Sequence, residues 1–522
     1  MITTFAAIDL GSYELGLKIF EISREHGVKE IDHVRHRIDL GTETYSTGKI
    51  SSSHIDELVR ILLDYRRIMG GYGVKDYRVY ATSALRETDD IVVVLELLKQ
   101  RTGLDVNVLS NSEQRFLDYK SVALNNKEFN RVIEKSSAIV DIGGGSLQIS
   151  LFDKDTLVTT QNIRMGVLRL RSTLEHIGAG YKRYDQLVTE LVDSQLSIYA
   201  KMYLKDRRVS NIVLLDDYIS PVLDRLGVDT PDNPRKKNTG RYIDASAFTE
   251  YVENVLDRAP KRDIAKMLGA SEDNLLLMYI AGLLVKCIVK TMDAETIWAP
   301  GVTLCDGIAY EYAEKLGIFE DPHDFEQDIV ACARNISKRY MGSRSRSETL
   351  LTISLAIFDA MEQVHGLSKR ERLLLQIAAI LHDCGKYINM TNLADCSYSI
   401  IMSTEIIGLS HLERAIVANV VRYNHEVFDY YDSTAFLSRG LERDTYLVIA
   451  KLTAILRIAN GLDRTHRQKF RDVKVDVRGQ ELIITVDTKA DITLEKALFT
   501  NRAGFFQQIY GMKPVIRQKR RV

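Results

Sequence analysis

The hydrophobic pattern of the chain begins with an apolar run, Thr4-Phe5-Ala6-Ala7-Ile8, that enters Asp9-Leu10-Gly11-Ser12 and leaves through an alternating stretch from Leu15 to Ile22. The same grammar returns at Ser137 to Phe152, where an apolar run meets Asp141-Ile142-Gly143-Gly144-Gly145-Ser146 and alternation follows. Each copy predicts strand, turn, strand. Between them the periodicity predicts a strand near Val34–Leu40, a helix over Ser53–Met69 and a strand Tyr77–Ala81. A helix Asp89–Arg101, a strand Val106–Leu109 and a helix capped by Ser110 and running to Leu124 complete this half.

The style repeats as far as about Gly317, with a long helix Asp273–Met292 and a turn at Cys305-Asp306-Gly307. No proline precedes Pro221, which suits long regular elements, and Pro231 to Asn238 reads as a linker. From about Asp324 to Arg467 the pattern is helical almost throughout, with apolar stripes in Glu348–Val364, Lys369–Leu381, Leu412–Tyr423 and Tyr446–Asn460. A hairpin over Val473–Val486, a helix near Leu494–Tyr510 and a strand near Pro514–Ile516 end the chain. The expected architecture is α/β in two duplicated halves, residues 1–130 and 131–318. An all-α domain, 319–470, and a small α+β domain, 471–522, follow.

Composition narrows the class. The 522 residues suffice for roughly three or four domains. A formal net charge of -1 excludes a polycationic nucleic-acid binder, so any anion site is local. Five scattered cysteines without a Cys-x-x-Cys pair suit a reducing compartment and argue against a zinc module. The N-terminus lacks a basic region followed by an apolar run, and no 18-residue apolar span is evident, so the expectation is a cytoplasmic protein without membrane or DNA partners.

The candidate chemistry sits at the two turns. Glycines at Gly11 and Gly143 to Gly145 let main-chain N–H groups approach an anion, and the hydroxyls of Ser12 and Ser146 add donors. Asp9 and Asp141 at the same tips can hold Mg²⁺ against a phosphate, or can simply hydrogen-bond their own turns. Arg86 follows a strand end and offers a bidentate fork to phosphate, or is a solvated surface residue. Glu113 admits two readings as well: the reciprocal partner of Ser110 in a capping box, or a carboxylate that orients an attacking water. His382-Asp383 at the end of an apolar helix is a fragment of a divalent-metal site. An earlier His and a later Asp are missing, and His411 and His425 are possible outer ligands only, so the pair is expected to be structural. Basic residues gather at Arg334, Lys338, Arg339, Arg344 and Arg346, at Arg464, Arg467, Lys469 and Arg471, and at Arg517, Lys519, Arg520 and Arg521. They are solvated faces, or a groove for a polyanion.

Taken together, the motifs from Phe5 to Ser12, Thr82-Ser83-Ala84-Leu85-Arg86, Ser112-Glu113-Gln114-Arg115, Asp141 to Ser146, Met165 to Leu170, Leu381 to Gly385 and Leu456 to Arg464 resemble the exopolyphosphatase/guanosine pentaphosphate phosphohydrolase (Ppx/GppA) family. The resemblance implies an actin/Hsp70/sugar-kinase-like (ASKHA, ribonuclease H-like) pair of domains, then an HD-like helical domain and a small C-terminal domain. It implies Mg²⁺-dependent release of terminal phosphate from inorganic polyphosphate or pppGpp, and often a homodimer. It makes Glu113 the catalytic base, Arg86 a phosphate clamp and Asp141 with Gly143 to Ser146 the phosphate and metal loop.

Departures from the family pattern are Tyr13-Glu14 in the first loop, Gln148 where a carboxylate is usual, and Leu215-Asp216-Asp217-Tyr218 in place of a Ser-Gly-Thr turn. Cys305 stands in place of an Arg, and Arg346 near the position of the first HD-type His. They motivate an alternative expectation: a catalytically weakened member that binds polyphosphate or nucleotide as a regulator.

Overall fold

The computed structural model describes residues 2–124, 126–154, 156–178, 183–205, 207–227, 240–256, 261–319, 323–431, 440–463, 467, 469–470 and 473–519. The linker expected at Pro231 to Asn238, and Arg464, Arg471, Arg520 and Arg521 of the basic groups, lie outside the described residues. The chain forms two compact units, Met1–Asp324 and Phe325–Val522.

The first unit holds two sheets built on one plan. In the first, β1 (Thr3–Leu10), β2 (Glu14–Ser23), β3 (Gly27–Arg37), β4 (Asp76–Ala81) and β5 (Asn107–Val108) stand in the order β3-β2-β1-β4-β5. In the second, β6 (Ser137–Ile142), β7 (Leu147–Asp153), β8 (Thr156–Ile163), β9 (Asn211–Asp216), β10 (Arg241–Asp244) and β11 (Thr296–Ala299) take the order β10-β11-β9-β6-β7-β8. In each, a strand ending in the Asp-bearing turn pairs antiparallel with the strand leaving it and parallel with a later strand, β1 with β4 and β6 with β9. This is the duplicated α/β fold that the two Asp-x-Gly hairpins announce.

The continuous apolar run in β1 follows from burial on both faces. Ala6, Ile8 and Leu10 join one core with the Ser52–Gly71 helix residues Leu58, Leu62 and Tyr65. Phe5 and Ala7, on the opposite face by strand alternation, join another with Phe20, Ile22 and Leu117. Each Leu, Ile or Phe among these contributes on the order of 1.5–3 kcal/mol by leaving water.

The second cluster also contains Leu304, Cys305, Ile308, Ala309 and Ala313. The helix Leu304–Lys315 therefore returns to the first sheet, although its chain position falls in the second half as read from the sequence. Cys305-Asp306-Gly307 is not a turn but the first part of this helix, capped by Thr303 and Asp306. Gly307 is required there, because a Cβ would lie 1.9 Å from the carbonyl oxygen of Leu117 on the crossing helix Asn111–Ala123. Lys18 of β2 fixes the helix further, donating to Asp306 Oδ2 at 2.8 Å within a buried ion pair.

Among the described residues from Phe325 to Leu462 the second unit is mainly helical. Its three-stranded sheet, β12 (Val473–Arg478), β13 (Glu481–Val486) and β14 (Lys513–Gln518), lies beside the helix Thr493–Tyr510. The helical and α+β parts thus form a single compact unit that begins at Phe325.

Two helices, Asn274–Met292 and Arg443–Leu462, are long and apolar enough to cross a membrane by length and composition, more than the sequence reading allowed for. In each, 78% of the apolar window is buried inside the protein, as in core helices.

Candidate active site

Both Asp-bearing turns open on one cleft in the first unit. Asp9, Gly11, Ser12, Tyr13 and Glu14 line it from the first half, and Asp141, Gly143, Gly144 and Ser146 from the second. Thr82 and Ser83 after β4, Asp216 and Asp217 after β9, and Gln114 and Asp118 of the Asn111–Ala123 helix complete much of the wall. The strand ends thus deliver the polar groups, as open α/β sheets do.

Steric requirements set both loops. A Cβ on Gly11 would lie 2.5 Å from the Glu14 carbonyl oxygen, and one on Gly145 would lie 2.4 Å from the Tyr45 hydroxyl. The second loop is seated on the N-terminus of the Val167–His176 helix. The Gly143 carbonyl accepts from Val167 N–H at 3.1 Å, and the Gly144 carbonyl from Leu168 and Arg169 N–H at 3.0 and 3.1 Å. Gly166 permits this approach, since its Cβ would lie 2.3 Å from the Gly144 carbonyl carbon.

Hydroxyls knit the first loop to its neighbours. Ser12 Oγ lies 2.7 Å from Tyr45 OH and 2.8 Å from Ser83 Oγ, and Tyr45 OH lies 2.8 Å from Ser83 Oγ. Arg169 stacks over the Tyr45 ring at 4.4 Å, donates to the Gly145 carbonyl at 3.0 Å and pairs with Glu87 at 2.8 Å. The phenol of Tyr13 donates to Asn274 Oδ1 at 2.6 Å and so ties the first loop to a helix of the second half.

The cleft is acidic. Burial is the main cause that raises the carboxyls of Asp9, Asp118 and Asp217 above the ordinary range, with mutual repulsion adding to the first two. Burial and then Asp217 push Asp141 up to about 7, against the opposing charge of Arg115. Burial also takes Asp216 up to about 8, although it caps the following turn by accepting from Tyr218 and Ile219 N–H at 2.8 and 2.5 Å. Asp9 Oδ1, Asp118 Oδ2, Asp141 Oδ2 and Asp216 Oδ1 are buried without a hydrogen-bond partner. Crowded, dry carboxylate oxygens with no donor suit a divalent cation. Among the described residues no three His, Cys, Asp or Glu side chains enclose a metal by themselves. An ion there would keep waters or take phosphate oxygens, the habit of Mg²⁺.

The sequence-predicted residues are not all brought together. Asp9, Gly11, Ser12, Asp141, Gly143, Gly144 and Ser146 meet at the cleft, while Gly145 stands behind it against Tyr45. Glu113 takes the capping-box alternative: Ser110 N–H donates to Glu113 Oε2 at 3.0 Å, and Glu113 N–H donates to Ser110 Oγ at 3.2 Å. It is not among the lining residues; the next residue, Gln114, and the one a turn further, Asp118, are. Arg86 donates to the Leu109 carbonyl at 2.6 Å and reaches Gln114 Oε1 at 3.4 Å, so it braces a cleft residue and does not itself line the cleft. Cys305 is buried in the apolar cluster, its Sγ 3.5 Å from the Ala7 carbonyl oxygen.

Asp118 and Asp217 escaped the sequence reading. The available signals were the i, i+4 spacing of Gln114 and Asp118 on one helix face, and the place of Asp217 just past a strand end.

In the second unit His382 and Asp383 are buried beside Arg346, which is 1% exposed. Arg346 donates to Asn460 Oδ1 at 2.8 Å and lies 3.9 Å from Asp383 Oδ2, with Lys386 3.6 Å from the same oxygen. Burial lowers the His382 pKa to about 3, leaving a neutral ring. His425 meets the His382 carbonyl at 2.9 Å rather than its ring, and His411 lies 3.1 Å from Arg414. Fixed cations stand where a metal would need room, so these residues do not fit an HD-type metal.

Comparison with known proteins supports the same picture. The model of the Ppx/GppA phosphatase family matches residues 19–316, and that of Ppx/GppA phosphatase domain III matches residues 331–502. The guanosine-5'-triphosphate,3'-diphosphate pyrophosphatase of Vibrio atlanticus is 19% identical over 89% of this chain and 87% of its own length. Exopolyphosphatase 1 of Mycobacterium leprae is 23% identical over 56% of this chain and 84% of its own. A match to the bifunctional 3-dehydroquinate synthase/phosphatase of Fusobacterium nucleatum, 23% identical over 171 residues, spans 25% of that protein. Among solved structures, the Aquifex aeolicus member of the Ppx/GppA family superposes with a TM-score of 0.50 at 20% identity, over 60% of this chain and 99% of that one. The exopolyphosphatase of Cytophaga hutchinsonii gives 0.50 at 17%, over 60% of this chain and 98% of that one.

Proposed function

Because the chain belongs to the Ppx/GppA phosphatase family, with the actin-like fold of its relatives, we propose that its cleft removes the terminal phosphate from a linear phosphoanhydride, inorganic polyphosphate or pppGpp. The observation that carries this reading is the meeting of two Asp-tipped glycine loops across one small, acidic, hydroxyl-lined cavity. That cavity measures about 70 Å³. At roughly 10–15 Å³ for each water it accommodates, this is room for one phosphoryl group and its attacking water, with a base and ribose left outside.

Phosphatases of this family are generally dependent on a divalent metal. Asp141 and Asp9, with their unpartnered oxygens, would hold Mg²⁺, which supplies charge neutralisation that the acidic cleft lacks. The hydroxyls of Ser12, Ser83, Thr82 and Ser146 bind and orient the terminal phosphate. Asp118, on the helix face turned to the cleft, accepts the proton of the attacking water at its unpartnered Oδ2. Gln114 positions the water as a neutral donor and acceptor. Glu113 holds the helix start.

The test is phosphate release from long-chain polyphosphate and from pppGpp with Mg²⁺, comparing wild type with Asp118→Asn and Asp141→Asn. Release by wild type and its collapse in both variants support the reading. A second reading, a polyphosphate-binding regulator, is favoured by one observation: Gln148 carries an amide where the family pattern has a carboxylate, and that amide is occupied by Arg115. Tight polyphosphate binding by wild type without turnover would establish it.

A further inference from the structure

We propose that a second anion site lies in the helical unit, between the Arg443–Leu462 and Thr493–Tyr510 helices, built to take a compact di- or triphosphate. A cavity of about 310 Å³ opens there, lined by Arg457, Asn460, Asn501, Arg502 and Phe505 among others. This lies at the lower end of the size range of ligand pockets, roughly 300–1,000 Å³. Its central residue is Arg457, which is only 7% exposed. The guanidinium lies over the Phe505 ring at 4.5 Å. Its Nε donates to the Tyr423 carbonyl at 2.7 Å, and one Nη donates to the Glu426 carbonyl. Neutral carbonyls satisfy donors without cancelling charge.

Among the described residues Arg457 has no carboxylate within ion-pair distance. The neighbour that acts on it most is another cation, Arg502, which lines the same cavity. Burial first, and Arg502 second, lower the Arg457 pKa to about 10, so at neutral pH the group remains charged. A buried Arg457 cation held only by neutral carbonyls, with an open cavity beside it, is an arrangement that an oxyanion relieves. Two planar guanidiniums suit the bidentate contacts of phosphate, and Asn501, exposed at the rim, adds an amide. The site shares no residue with the Asp-lined cleft, and no step of the proposed hydrolysis uses it.

The experiment is calorimetric titration of the full chain with inorganic pyrophosphate in the presence of EDTA. Without a divalent cation the acidic cleft repels this probe, so the titration reads the arginine pocket. The expected result is one site per chain, weakened at least tenfold in Asn501→Asp and in Arg457→Met, and unchanged in Asp141→Asn. Arg457 supports two backbone carbonyls and its replacement can disturb folding. Asn501 is exposed, so Asn501→Asp carries the test alone if Arg457→Met does not fold. No binding by wild type, binding untouched in Asn501→Asp, or binding lost in Asp141→Asn would each overturn the proposal. Citrate in place of pyrophosphate checks the ligand class, and tighter binding of citrate would overturn the assignment to phosphates.

Discussion

Arg115 Nε donates to Gln148 Oε1 at 3.1 Å, a buried bond that links the helix of the first half to β7 of the second. Gln148 stands opposite Asp141 in the β6–β7 register. An amide at this place leaves the guanidinium charge available to Asp118 and Asp141, and it opposes the upward shift of both. Replacing Gln148 by Glu puts a second carboxylate opposite Asp141. The expected outcome is a rise of about tenfold in Mg²⁺ affinity, the scale on which groups around a metal act. Calorimetric titration with Mg²⁺ at pH 8 checks it; unchanged or weaker binding would remove Asp141 from the proposed ion site.

Glu113 and Asp118 make opposite predictions. Glu113→Gln keeps an acceptor for the Ser110 N–H and should cost at most about 1 kcal/mol of stability, read by denaturant unfolding, with phosphate release close to wild type. Asp118→Asn should retain the fold and lose turnover by about 10²–10⁴-fold in single-turnover phosphate release. A dead Glu113→Gln beside an active Asp118→Asn would reverse the assignment and return the base to the capping residue.

The pH dependence has a defined sign. Asp141 is raised to about 7 in the folded chain, so below that pH the folded state holds a proton that the unfolded state, with its ordinary carboxyl, has released. That proton favours the folded state in metal-free buffer. The contribution is fully present near pH 4 and is lost as pH rises through about 7. Metal binding runs the other way, because it requires the carboxylate. Metal-free thermal stability should therefore fall between pH 5 and 8, while Mg²⁺ affinity rises over the same interval, about tenfold per unit below pH 7 for one displaced proton. Thermal melts in EDTA and in Mg²⁺ across this range measure both, and parallel trends would contradict the sign.

Gly145 and Tyr45 should be coupled. A methyl group on Gly145 meets the Tyr45 hydroxyl at 2.4 Å, so Gly145→Ala should destabilise by about 1–3 kcal/mol. Adding Tyr45→Phe removes the clashing oxygen and should recover part of that loss, a non-additivity that a double-mutant cycle in urea detects. Strict additivity would mean that the loop moves away from Tyr45 instead.

In the second unit Arg346→Met removes a buried cation from between Asp383 and Asn460. It should cost about 3–5 kcal/mol, because Asp383 is then left buried beside the neutral His382 ring, with the half-exposed Lys386 as a cationic neighbour. Urea unfolding of the full chain reads this as loss of the transition that belongs to residues 325–522.

Much of this was legible in the residues. The paired Asp-x-Gly hairpins gave both sheets, and the family motifs gave the cleft, because glycine spacing and apolar runs are local signals. The helical texture after Asp324 was legible for the same reason. What was not legible is which face a residue presents. Glu113, Gln114 and Asp118 are neighbours on one helix; the cap that Glu113 makes is local and legible, whereas the turning of Gln114 and Asp118 to the cleft follows only from how that helix packs. Glycine signals a turn locally, so Gly307 reads as a turn residue; its use as a helix crossing point depends on Leu117, about 190 residues earlier. Asp217 looked like the loss of a glycine turn, and only the meeting of the two halves turned it into part of the carboxylate wall.

The return of Leu304–Lys315 to the first sheet has a consequence for biogenesis. As the chain leaves the ribosome, β1 and β2 emerge with Phe5, Ala7, Phe20 and Ile22 on a face whose cover is not yet synthesised. Leu109 and Leu117 cover part of that face earlier, but it is not closed until residue 315 is clear of the exit tunnel. The half that is made first is therefore finished last, and a nascent chain arrested before Leu304 should engage holdase chaperones that one arrested well beyond Lys315 releases.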